Sequence, residues 1–178
     1  EHLRPFTPLY KKMAERLDEF VELFPIHPSY IETFERVYIA EKREVLKTFS
    51  MAMRGLLDDE IPTDQPGLIS YDDYWGSITE NPSLRSLEGV AQVIEKSAVL
   101  EGRILNAYTR PNLLEMAKRI IRALSVQRLT TTDVHTRLGV TAEELRDGLC
   151  LYTRIPEQTA EFLLDQVQVA LREIMKTV

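Results

Sequence analysis

"LLEMAKRIIRALSVQRL", Leu113 to Leu129, repeats its apolar residues at intervals of three and four. Leu113, Met116, Ala117, Ile120, Ile121 and Leu124 therefore share one face at about 100° per residue, and Lys118, Arg119 and Arg122 share the other. This is the pattern of an amphipathic helix that buries one side, and Arg110-Pro111-Asn112 supplies the break ahead of it. Glu115 stands four residues before Arg119, which predicts an exposed, salt-bridged polar face. The alternative for Lys118, Arg119 and Arg122 is a basic patch that touches nucleic acid or an acidic protein surface.

The same period recurs in both directions. Upstream, Thr7-Pro8 predicts the start of a first helix with Leu9, Met13, Leu17, Phe20, Val21 and Phe24 inward, stopped by Pro25. Pro28 opens a second helix through Ile31, Phe34 and Val37. "DDEIPTDQPG", Asp58 to Gly67, is a loop by composition, and "LISYDDYWGSI" is a short extended segment or a turn of helix. Asn81-Pro82-Ser83 starts a long helical stretch with Leu87, Val90, Ala91, Ile94, Ala98, Leu105 and Tyr108 on its core side. Downstream, Thr141-Ala142-Glu143-Glu144 is a capping box, and a last helix from about Glu157 turns Leu163, Val167, Ala170, Leu171 and Ile174 inward.

Strand signals are nearly absent, so the predicted fold class is all-α, a multi-helix bundle with a helix-turn-helix or winged-helix-like C-terminal part. The punctuation predicts three segments: helices over 1–57, a loop and long helical segment over 58–110, and a helix-turn-helix-like subdomain over 111–178. Glu1 in place of a methionine, and "ALREIMKTV" without a stop signal, predict a piece of a longer chain.

Composition excludes several classes. No run approaches the roughly 18 apolar residues of a membrane span, and Cys150 alone cannot make an internal disulfide, so a cytoplasmic setting is the expectation. The net charge of -6 disfavours a general nucleic-acid binder. There is no G-x-x-x-x-G-K-[ST] loop, no G-x-S-x-G elbow and no H-E-x-x-H pair, so no catalytic residue is assigned. His2, His27 and His135 lack ligand spacing, so no metal site is expected, and His27 reads as a residue that caps or packs the helix beginning at Pro28. Thr132 to Tyr152 has the length of a helix-turn-helix, yet its would-be recognition helix begins with Glu143 and Glu144 and carries Asp147 against Arg146, poor chemistry for approaching phosphate.

A sharper pattern lies in "EKREVLKTFSMAMRGLL", Glu41 to Leu57. With Val45, Leu46, Phe49 and Met53 inward, Arg43, Lys47, Ser50 and Arg54 fall at i, i+4, i+7 and i+11 on the opposite side. The row is either a solvated face or a set from which one cation reaches an anion, a task suited to the planar fork of arginine.

Together with "FPIHPSYIETFERV", Phe24 to Val37, this stretch resembles a segment of large bacterial P-loop ATPases of the AAA type, including those of phage-exclusion (BREX-like) systems. "LISYDDYW" through "VAQVIEKSAVLEGRI" is similar to the continuation of the same family. The resemblance implies a helical lid and regulatory region that couples nucleotide state to neighbouring domains, with Arg43 as phosphate sensor and Lys47 as the other candidate. It also implies an upstream nucleotide-binding domain of the same chain as partner, and ATP and Mg as cofactors of the parent protein. With no phosphate loop and no metal-binding acids, the segment itself would hold no cofactor and hydrolyse nothing. A nucleic-acid-binding helical module and a protein-interaction scaffold are the alternatives.

Overall fold

The computed structural model describes residues 1–36, 50, 53–54, 60–130, 139–154 and 158–177. Arg43, Lys47, Val45, Leu46, Phe49 and His135 lie outside the described residues, as do Asp58 and Asp59.

The fold is all-α, a multi-helix bundle; among the described residues there is no strand, only an isolated parallel bridge between Ile26 and Ile69. The start differs from the single helix that Thr7-Pro8 predicts. Pro8 sits inside a 3-10 turn, Arg4–Leu9, and two short helices follow, α1 (Lys11–Glu15) and α2 (Leu17–Leu23). Tyr10 is extended between the first two of these elements, with its ring fully buried, and Arg16 breaks the second pair while pairing with Glu19 and Glu32. Met13 and Phe20 face inward as the spacing predicts, but Val21 is exposed, because the break at Arg16 shifts the phase of the second helix.

Helix α3 (Pro28–Phe34) buries Tyr30 and Thr33 and leaves Ile31 exposed. The loop before Ile69 carries Gly67 at φ +64°, where a Cβ would also stand 3.0 Å from the Pro62 ring, so glycine is required there. "LISYDDYWGSI" takes both predicted forms: Ile69 bridges Ile26, Tyr71–Asp73 is a 3-10 turn, and α4 (Tyr74–Glu80) follows.

The long helical stretch is interrupted. Asn81 caps a short helix, α5 (Pro82–Arg85), Leu87 is extended, and α6 (Glu88–Ala107) then runs unbroken through Gly89 and Gly102. Its buried line is Val90, Ser97 and Ile104, at seven-residue steps, while Leu87 and Leu105 are exposed. Helix α7 (Leu114–Thr130) buries Met116, Ala117, Ile120 and Ile121 on the face predicted for it, and adds Ala123 and Val126. Thr141 and Glu144 form the expected capping box of α8 (Ala142–Leu149), and α9 (Ala160–Thr177) buries Leu163, Val167, Ala170 and Ile174.

Helices α6 and α7 pack along each other, and α9 packs on α6, α7 and α8. The buried cluster runs from Leu3 and Tyr10 through Trp75 and Val90 to Leu151 and Ile174, so the segments 1–57, 58–110 and 111–178 share one core. Each fully buried large apolar side chain in it contributes about 1.5–3 kcal/mol.

Candidate functional site

Helix α8 ends inside the protein. An α-helix leaves its last four carbonyls without intrahelical partners, and a buried end must find them elsewhere. Leu145 through Leu149 are all buried, and Cys150 closes the helix in the left-handed region at φ 43°. Side chains from separate parts of the chain take up the carbonyls. His27 Nε2 lies 2.8 Å from the Asp147 oxygen, and Ser29 Oγ donates to Gly148 at 2.6 Å. Arg119 donates to Leu149 at 2.8 Å, and the Tyr10 hydroxyl donates to Leu151, two residues past the helix, at 2.8 Å. The helix terminus is thus plugged into a socket built by Tyr10, the head of α3 and Arg119 of α7.

The socket residues are fixed in turn. The amide of Ser29 donates to His27 Nδ1 at 2.9 Å, so that nitrogen is unprotonated and Nε2 carries the hydrogen donated to Asp147. Burial pushes His27 down to about 3, outweighing the Asp147 bond, and the ring is neutral at physiological pH. The backbone before it is held too: His27 donates to the Ile69 carbonyl at 2.9 Å, and Ile69 donates to Pro25 at 2.8 Å.

Arg119 is not on a free basic face. Its Nε donates to Asp72 at 2.7 Å, and one terminal nitrogen reaches Asp72 at 3.2 Å, Ser70 Oγ at 2.7 Å and Leu149 at 2.8 Å. Burial works against its charge, but the Asp72 carboxylate outweighs this and holds the guanidinium above its ordinary value. Asp72 is 3% exposed, so the pair is a desolvated one, and the positive guanidinium also complements the negative end of α8.

The other two cations of the predicted patch are paired as well. Glu115 meets Lys118 at 2.6 Å rather than Arg119, and Arg122 meets Glu101 at 3.3 Å. Arg122 lines a cavity of about 530 Å³ with Arg85, Asp72, Asp73, Glu80 and Glu101, where acids outnumber bases and no anion is favoured. Desolvation and the neighbouring Asp72 push Asp73 up to about 6, and because Asp73 is exposed, solvent screening keeps the energetic consequence small. Of the cation row, Ser50 and Arg54 are described and exposed.

The chemistry of the socket is that of an anchor. Cys150 is buried, and burial pushes its thiol up, so it is no nucleophile. Arg146, a would-be groove-facing cation, is buried against Asp147 at 2.8 Å, which leaves only the acidic first turn of α8 near solvent. Among the described residues no three metal-ligating side chains stand together, and no helix is long and apolar enough to cross a membrane. Sequence reasoning finds His27 but misses Tyr10, Ser29, Ser70 and Asp72. The available signal is the carboxylate in "SYDDYW", an acid among aromatics that must be paired if buried.

The family model described as DUF6079 second domain matches residues 1–178. The chain belongs to this family. No curated protein and no solved structure matches the chain. In this DUF6079 second domain the socket ties "FPIHPSY", at the head of the chain, to α8 near its end.

Proposed function

We propose that this domain is a helical coupling module of a larger P-loop ATPase, with no complete active site of its own, which passes nucleotide state to neighbouring domains. The observation that carries the reading is the bond from His27 to Asp147 together with that from Ser29 to Gly148. Pro25 to Pro28 belongs to the stretch that resembles the ATPases, and it is the stretch gripped by α8. A pull on the chain beyond α3 is therefore delivered to α8 and the Arg119–Asp72 pair instead of being lost in a slack loop.

The family's description as a second domain supports a role beside other domains. The resemblance assigns ATP and Mg to an upstream nucleotide-binding domain of the parent, whose glycine-rich loop would supply the backbone donors for the phosphates. Arg43, with Lys47 as the other candidate, is the residue that reaches the terminal phosphates. The setting is cytoplasmic, and the ATPases that the stretch resembles include those of phage-exclusion systems.

Steady-state ATP turnover of the full-length polypeptide tests this. Arg43→Ala lowers turnover by about 10 to 1000-fold, the range for loss of one charged contact to developing phosphate charge. Arg54→Ala, on the same predicted face, leaves it within about twofold. Normal turnover for Arg43→Ala overturns the assignment.

A further inference from the structure

A groove of about 610 Å³ runs between α6 and α7, with Ile174 of α9 at its side. From Gly89 to Leu100 it follows α6 for 11 steps, which at 1.5 Å per residue is about 16 Å, or about three helical turns. Its walls are apolar: Val90, Val93 and Leu100 on α6 face Ile121, Leu124 and Leu129 on α7. At the mouth Leu87 is 46% exposed and extends the apolar lining to the surface.

Two polar features within it are unfinished. Ser97 and Ser125 both line the groove, and Ser125 spends its hydroxyl on the Ile121 carbonyl at 2.8 Å, the ordinary fate of a mid-helix serine. Ser97 is 2% exposed, and its Oγ has no hydrogen-bond partner among the described residues. A buried hydroxyl left in that state is costly, and a visiting acceptor would remove the cost. The ionisable side chains that line the groove are Lys96 and Arg128, both exposed and neither in an ion pair among the described residues. On a chain of net charge -6 this is a local reversal of sign.

We infer that the groove is the docking site of an acidic amphipathic helix from a neighbouring domain of the same polypeptide. Ridges on two adjacent helices leave a trough that a third helix fills, with apolar residues at i, i+3 or i+4, and i+7 set between Val93 and Leu124. A carboxylate on that helix would accept from Ser97 while Lys96 and Arg128 flank it. The inference rests on the reading of this chain as one domain among several, and not on the parent being an ATPase.

The test places a photo-crosslinking benzoylphenylalanine at Val93 in the full-length polypeptide, with Val99 as control, since Val99 is exposed but does not line the groove. Crosslinked peptides are read by mass spectrometry from a mixture of isotopically light and heavy copies. Expected is an intramolecular crosslink from position 93 to a segment with helical apolar spacing and Asp or Glu beside it. Lys96→Glu with Arg128→Glu lowers that yield about tenfold at unchanged melting temperature, since like charges then oppose docking. A crosslink between light and heavy copies, to a lipid or small amphiphile, or to a basic segment overturns the inference. So does a yield no higher than at Val99, or one indifferent to the charge reversal. Loss of ATP turnover plays no part in the readout, so failure of the ATPase reading leaves this result interpretable.

Discussion

His27 reaches across 120 residues of sequence to set its Nε2 2.8 Å from the Asp147 carbonyl. Its other nitrogen accepts from the Ser29 amide, so one neutral imidazole caps the start of α3 and the end of α8 at once. Removing it leaves a cavity and an unsatisfied carbonyl. His27→Ala is expected to cost about 3 kcal/mol, with a shifted urea midpoint at unchanged slope.

The same residue makes stability depend on pH. Its folded value lies at about 3, below the ordinary 6.5 that the unfolded chain would show. The unfolded state therefore takes up the proton first on acidification, so this contribution is complete above 6.5 and lost as pH falls toward 3. The wild type should lose its lead over His27→Gln by on the order of 1 kcal/mol per pH unit through that window. Urea titrations of both proteins between pH 7.5 and 4 measure it; a constant lead contradicts it.

Arg119 and Asp72 form a desolvated pair, and such pairs punish the loss of one member more than the loss of both. Arg119→Met leaves Asp72 charged and buried and costs about 3–5 kcal/mol. Adding Asp72→Asn recovers about 1–3 kcal/mol of that, and a double-mutant cycle by chemical denaturation reads the coupling.

Lys118 and Arg122 sit on the same helix with partners near solvent. Lys118→Ala and Arg122→Ala should each change stability by less than about 1 kcal/mol. Three cations that look equivalent in "AKRIIR" then separate into one anchor and two surface residues.

The bundle was legible because burial in it is periodic. Ile120 and Ile121 announce their face, and Thr141 with Glu144 announces a helix start, since both signals are local. Periodicity puts Arg119 on the polar face but fixes direction only to within a broad arc, and its long stem swings across that arc to Asp72. Beyond His27 and the acid among aromatics in "SYDDYW", the socket has no local signal. Tyr10 and Ser29 are ordinary residues locally with partners 119 to 141 positions away, and Ser70 accepts from Arg119 49 positions on. Spacing assigns Leu105 to the core, yet it is exposed because α6 buries the line through Ile104 instead.

Coupling through the socket is tested most directly by hydrogen exchange of the full-length polypeptide with and without a non-hydrolysable ATP analogue and Mg. If nucleotide state is passed along the chain to α8, amides in Pro28–Phe34 and in Ala142–Leu149 change protection together on nucleotide binding, and His27→Ala abolishes the change in α8 alone. Nucleotide binding that leaves both helices unaltered, or that alters α8 equally with and without His27, would contradict the account.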